Sequence, residues 1–103
     1  MQTHPAKRIE ITIEAPLLPR LAERIVAAGG SGYSVMPVIA GHGHDGDWSL
    51  AGHIGESGRM VSVVCVVDAG RATALVEAIF PMVARQIGLL TMSDVSVVRP
   101  ERF

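Results

Sequence analysis

Residues 60–67, Met-Val-Ser-Val-Val-Cys-Val-Val, are the feature that most limits how this 103-residue chain can fold. The run is rich in β-branched residues and is apolar on both faces, so each face calls for burial. We therefore predict a central β-strand. Helices of the same chain can cover one face only. The high hydrophobic content, 49%, indicates that a subunit interface covers the other.

A regular alternation and two helical periodicities accompany this strand. Residues 8–14 alternate isoleucine with polar residues, which predicts a strand with one apolar face. Apolar residues spaced by three and four predict a helix that begins at Pro16 and stops at Gly29-Gly30. The same spacing predicts a second helix over residues 69–87, which Pro81 should kink or shorten.

Two further strands complete the pattern. Residues 33–40 predict a strand at a sheet edge, because Pro37 cannot donate a ladder hydrogen bond. Residues 89–98 predict a last strand that is broken near Ser93-Asp94. The resulting order, strand-helix-strand-strand-helix-strand, is the α+β ferredoxin-like plan, an antiparallel sheet with two helices on one face. We expect a single domain over residues 1–103, with the first and third strands in the centre.

A long glycine-rich segment, residues 41–58, separates the second and third predicted strands. It holds six of the eleven glycines and three of the four histidines. Glycine loses much backbone entropy on folding and has no side chain to bury, so we predict a flexible loop with a binding role. Trp48 in this loop is expected to contact a partner protein, and the alternative is that it folds back onto the domain.

Composition excludes several classes of function. A net charge of −1 gives no electrostatic footprint for nucleic acid. No apolar run reaches the roughly 18 residues of a membrane span. The N-terminus lacks a secretory signal, so a cytoplasmic location is expected. Cys65 is the only cysteine and is expected in the core. No nucleophile is paired with a base, so we expect neither an enzyme nor a catalytic cofactor.

The histidines of the loop raise an alternative function. His42, His44 and His53, with Asp45 and Asp47 nearby, offer imidazole and carboxylate ligands for zinc or another divalent ion. The chain would then be a divalent-metal-binding regulator. The pattern is weak, because ordering a flexible loop opposes binding, and solvated histidines explain it better.

Taken together, the motifs resemble the PII signal-transduction superfamily, and most closely its PII-like branch. Five segments contribute to this resemblance: the opening strand, the glycine turn before the second strand, the entry to the long loop, the second helix and the last strand. The resemblance rests on residues 8–11, 29–35, 37–43, 75–79 and 93–99.

This resemblance implies a homotrimer that binds adenine nucleotides in clefts between neighbouring subunits. ADP and AMP are the expected ligands, with ATP and cyclic AMP as alternatives and bicarbonate as a co-ligand. The long loop corresponds to the family's T-loop, whose order would signal to a target protein, such as a transporter or a carboxysome-related protein, in inorganic-carbon metabolism. The phosphate-binding B-loop is shortened to residues 85–90 and the uridylylated tyrosine motif is absent, so classical 2-oxoglutarate sensing is not expected.

The resemblance also supplies candidate nucleotide-binding residues. Gly32, Tyr33 and Ser34 match the family's turn beside base and ribose; the alternatives are a plain turn and, for Tyr33, a core position. Gly41 and Gly43 would let backbone amides approach anionic oxygens. Arginines suit bidentate phosphate contacts, although each could instead be solvated or paired with an acid. The full set is Gly32, Tyr33, Ser34, Gly41, His42, Gly43, Arg59, Gly88, Arg99 and Arg102.

Overall fold

The fold combines antiparallel strands with two helices. The structure, a computed structural model, describes residues 2–30, 32–43, 46–49, 59–86 and 88–99. Within them the elements are, in chain order, β1 (His4–Glu14), α1 (Leu18–Ala27), β2 (Ser34–Val38), β3 (Ala40–Gly43), β4 (Gly46–Ser49), β5 (Met60–Asp68), α2 (Ala72–Ala84) and β6 (Leu89–Val97). A short 3-10 turn precedes each helix, at Ala15–Leu17 and Ala69–Arg71.

Four strands form the main sheet, in the order β2-β5-β1-β6 and antiparallel throughout. The first strand and the apolar strand are therefore central, as predicted. Pro37 lies in β2 at an edge, where its missing donor is tolerated. The ferredoxin-like α+β plan is confirmed.

The core lies between this sheet and the two helices. β1 and β5 are in register with Ile11 opposite Val63, and every second side chain of each strand points toward the helices. Each fully buried aliphatic side chain there contributes about 1.5–3 kcal/mol. Cys65 is buried among them, as predicted. The fully buried members of the core are Ile9, Ile11, Ile13, Leu21, Ile25, Val63, Leu75 and Ile79.

The other face of the sheet, which we call the open face, is covered by neither α1 nor α2. On β5 it presents Val64 and Val66, both half-buried within one chain, and the buried Ser62. Leu89, at the start of β6, is 63% exposed. The two helices thus cover the apolar strand on one face. That a subunit interface covers the second face stays a prediction.

The elements differ from the sequence-based expectation at four places, and a kink at Pro81 stays a prediction. α2 continues through Pro81, because the buried stripe of Leu75, Ile79 and Met82 holds the helix on the sheet while Pro81 faces outward. β1 begins at His4, well before residue 8, because β6 pairs with it along most of its length. That pairing also keeps β6 unbroken. The α-helical part of the first helix begins at Leu18, after the 3-10 turn.

The described part of the glycine-rich segment is not an irregular loop. β3 and β4 form a two-stranded antiparallel hairpin in which Gly41 is opposite Trp48 and His42 is opposite Asp47. Backbone hydrogen bonds need no side chain, so glycine content did not prevent strand formation. No helix in the described part of the chain has the length and apolar character needed to cross a membrane.

Candidate functional site

The predicted binding residues lie in two groups along the sheet. One group surrounds the end of β1 at Glu14, because Glu14 is opposite Met60 and Thr12 is opposite Leu89. We call it the hairpin-end group; its members are Gly41, His42, Gly43, Arg59 and Gly88.

The second group begins at the middle of the sheet and reaches its other end. Arg99 follows β6, whose residue Val97 is opposite His4. Ser34 is opposite Val64, which is itself opposite Glu10, so Gly32, Tyr33 and Ser34 enter β2 near the middle of the sheet. β1 has eleven residues, so its two ends are roughly 33 Å apart at a rise of about 3.3 Å per residue. A single chain therefore does not bring Arg59 and Arg99 together.

A pocket of about 350 Å³ opens at the hairpin end. Arg59, half-buried, is the charged residue in its wall. The Arg59 carbonyl accepts a hydrogen bond from the Ala15 N–H at 2.9 Å, which ties the start of β5 to the end of β1. A guanidinium in an apolar wall suits a ligand with an apolar body and an anionic group. The wall includes Ala15, Pro16, Pro19, Pro37, Val38 and Met60.

Gly88 has a structural reason to be glycine. A Cβ at this position would lie 3.0 Å from the Thr12 carbonyl oxygen and 3.2 Å from Val83 Cγ1. The chain thus passes so close to β1 that a side chain would push the two segments apart. Packing alone accounts for this residue, and its contact with nucleotide stays a prediction.

The metal hypothesis depends on residues that lie mostly outside the described part. His42 is exposed on β3, and the hairpin register sets it opposite Asp47. His44, Asp45 and His53 fall outside the described residues. Among the described residues, no group of three or more His, Cys, Asp or Glu side chains converges on one point.

The end of the sheet near Arg99 contains an ion pair. His4 Nε2 lies 2.5 Å from Asp68 Oδ1, and the Gly70 N–H donates to Asp68 Oδ2 at 3.0 Å. The hydrogen bond with His4, followed by the one from Gly70, lowers the pKa of Asp68 below its usual value. Arg99 is exposed just beyond this end, and Arg102 lies outside the described residues.

Tyr33 is not a core residue. Its side chain is 42% exposed and lies beside α1, in an open groove with Ala22, Val26 and Ala27. Around Gly32 there is open space, because a Cβ added to this residue would meet no described atom within 4 Å, so packing does not require glycine there. Ser34 is exposed and pairs with Val64 through the backbone. All three residues are accessible within one chain.

Sequence reasoning missed a polar network on the open face. Ser62 Oγ donates to Glu10 Oε2 at 2.7 Å, and Arg8 Nη1 donates to Glu10 Oε1 at 3.1 Å. The Ser62 bond and then Arg8 lower the pKa of Glu10. The sequence did contain a signal for this network, because Ser62 is the one polar residue within residues 60–67 and faces the polar side of β1.

The sequence also matches a known protein-family model. Residues 6–102 match the family model of the nitrogen regulatory protein P-II. A search of curated protein sequences found no significant match.

Solved structures with the same fold include several PII-like proteins. CPII from Thiomonas intermedia K12, bound to ADP, AMP and bicarbonate, superposes with a TM-score of 0.89 at 22% identity, covering 99% of this chain and 96% of CPII. CPII bound to ADP and bicarbonate superposes with a TM-score of 0.85 at 24% identity, covering 99% of this chain and 97% of CPII. A PII-like signalling protein from Thermus thermophilus superposes with a TM-score of 0.83 at 22% identity, covering 100% of this chain and 99% of that protein.

These structures share the fold of this chain over nearly its whole length. The family model spans most of the described β1, both helices and β6. The resemblance noted in the sequence is confirmed, and the chain belongs to the nitrogen regulatory protein P-II family.

Proposed function

We propose that this PII-like regulatory protein is a homotrimer that binds ADP or AMP in clefts between subunits, together with bicarbonate. Nucleotide binding would order residues 41–58, and the ordered segment would signal to a target protein in inorganic-carbon metabolism. The chain acts as a regulator and not as an enzyme.

The separation of the two residue groups is the observation that carries this proposal. Arg59 and Arg99 lie at opposite ends of a strand roughly 33 Å long. An adenine nucleotide is much shorter than this distance, so one molecule cannot contact both arginines of a single chain. A cleft that takes one group from each of two subunits would unite them.

The open face supports the trimer. Val64, Val66 and the exposed Leu89 form an apolar surface around the network of Glu10. Exposed apolar patches of this kind are typical of interaction surfaces. Packing of three sheets through their open faces would give β5 the second cover that its sequence calls for.

Chemistry at the hairpin end supports an anionic ligand. The glycines of β3 allow close approach to backbone N–H groups, and Arg59 adds a cation beside an apolar wall. One CPII structure that shares this fold is bound to ADP, AMP and bicarbonate, and another is bound to ADP and bicarbonate. The preference for ADP or AMP and the carbon-related role rest on that likeness.

Calorimetric titration tests the proposal. ADP, AMP, ATP and cyclic AMP are each titrated with and without bicarbonate, and zinc is titrated as a separate arm. We expect micromolar binding of ADP or AMP that bicarbonate tightens, with the reciprocal effect of nucleotide on bicarbonate. Binding of zinc without binding of any nucleotide would favour the metal-binding regulator instead.

Light scattering on the same samples tests the assembly. We expect the mass of a trimer at micromolar concentration, with or without ligand. The mass of a monomer would contradict both the trimer and the inter-subunit clefts.

A further inference from the structure

A groove on the helical side of the molecule is lined by three arginines. It lies between α1 and the end of α2, and its volume is about 200 Å³. Arg20 and Arg24 are four residues apart and therefore share one face of α1. Arg85, at the C-terminal cap of α2, faces them across the groove. All three side chains are exposed, above a buried Met82.

Among the described residues, no carboxylate lines this groove to balance the charge. The ion pairs that His4, Lys7 and Arg8 form with their acidic partners involve no arginine of the groove. Three like charges around one groove repel one another. An anion between them would replace that repulsion with attraction.

Helix dipoles explain two of these arginines but not the third. Arg24 is in the last turn of α1, where the dipole favours a cation. Arg85 is at the C-terminus of α2, where the dipole favours a cation. Arg20 is in the first turn of α1, where the dipole disfavours a cation, and no acidic residue lies in that turn. An anion in the groove would be stabilised both by Arg20 and by the positive end of α1.

We propose that this groove binds a phosphate group, either of free phosphate or pyrophosphate or of a larger phosphorylated metabolite. Guanidinium groups form paired hydrogen bonds with phosphate oxygens, and three of them match a ligand with two or more negative charges. Its α1 arginines, Arg20 and Arg24, are outside the candidate nucleotide residues, whereas Arg85 is the first residue of the shortened B-loop. Because Gly88, a candidate nucleotide residue, follows Arg85 by three positions, the test has to separate the two sites.

Calorimetry at low ionic strength, where exposed charges are least screened, provides the test. Phosphate and pyrophosphate are titrated into the native protein and into the variants Arg20→Gln, Arg24→Gln and Arg71→Gln. Arg71 is an exposed arginine before α2 and outside the groove, so it is the matched control. We expect saturable binding of pyrophosphate that Arg20→Gln and Arg24→Gln each weaken about tenfold and that the control changes by less than about twofold.

Three results would overturn the proposal. The first is the absence of saturable pyrophosphate binding to the native protein. The second is that Arg71→Gln weakens binding as much as Arg20→Gln does. The third is that Arg99→Ala abolishes binding while Arg20→Gln leaves it unchanged. The last result would place the anion in the nucleotide cleft. Titration of the same variants with ADP keeps the two proposals separate, because Arg20→Gln should leave ADP binding unchanged. Circular dichroism confirms that each variant is folded.

Discussion

Glu10 connects the polar groups of the open face. Its carboxylate accepts hydrogen bonds from Ser62 and Arg8, which lower its pKa from the usual 4.5. A carboxyl group whose pKa is lower in the folded state stabilises the fold above its unfolded pKa. That stabilisation is lost as the pH falls through the folded pKa.

The first prediction follows from this dependence of stability on pH. Glu10→Gln should lower the melting temperature at pH 7 by about 2 °C, a small effect because the carboxylate is partly exposed. The gap between native protein and variant should narrow as the pH falls below about 4.5. Melting curves from pH 7 to pH 3 measure this difference in melting temperature, with Glu23→Gln on α1 as control. A gap that is constant with pH would show that the charge of Glu10 contributes nothing.

Two nearby glycines should respond differently to alanine. A Cβ on Gly30 would lie 2.6 Å from Cγ2 of the fully buried Ile25 and 2.9 Å from its carbonyl oxygen. A Cβ on Gly32 would meet no described atom within 4 Å. We predict that Gly30→Ala lowers the free energy of unfolding by about 1–3 kcal/mol and that Gly32→Ala changes it by less than about 1 kcal/mol. Urea denaturation measures both, and equal losses would contradict the packing around Ile25.

At the scale of elements, α2 contains a proline that its sequence pattern did not lead us to expect inside a continuous helix. Pro81 cannot donate to the carbonyl of Glu77 and yet does not end the helix. Pro81→Ala should restore this hydrogen bond and raise the free energy of unfolding by about 1–3 kcal/mol. Pro19→Ala is the control, since proline is tolerated in the first turn of α1. An unchanged or lower stability of Pro81→Ala would mean that the helix gains nothing from the missing donor.

The hairpin of β3 and β4 is the element proposed to report ligand binding. Its strands have four residues each and, among the described strands, pair only with each other, so few contacts hold the hairpin to the rest of the fold. Hydrogen-exchange protection of these amides and the fluorescence anisotropy of Trp48 should rise with ADP, and rise further with bicarbonate. Unchanged protection at saturating ADP would remove the hairpin from the signalling mechanism.

The elements themselves were largely predictable from periodicity, and their ends were not. Alternation of isoleucine in β1 and the apolar run of β5 identified the central strands, because burial dictates those patterns. The expected break at Ser93-Asp94 did not occur, since both residues pair with β1 and Asp94 forms an ion pair with Lys7 across the strands. Such long-range pairing is invisible to local propensity.

At the scale of the whole molecule, the sequence indicated candidate residues but not their separation. Arg59 was a candidate because a guanidinium suits phosphate, and family resemblance favoured Arg99; only the strand register reveals that they lie at opposite ends of the sheet. The residues of the arginine groove come from α1 and the end of α2, far apart in the chain, so no local motif marks them. Both features depend on tertiary arrangement.

Subunit mixing tests the inter-subunit site most directly. Arg59→Ala and Arg99→Ala should each weaken ADP binding by about 1.5–3 kcal/mol, the range for a lost charge-assisted hydrogen bond. Equal amounts of the two variants are unfolded together, refolded and titrated with ADP. If each cleft takes Arg59 from one subunit and Arg99 from its neighbour, random trimers should regain native affinity in about one quarter of their clefts. No recovery of native affinity in the mixed trimers would contradict a site shared between subunits.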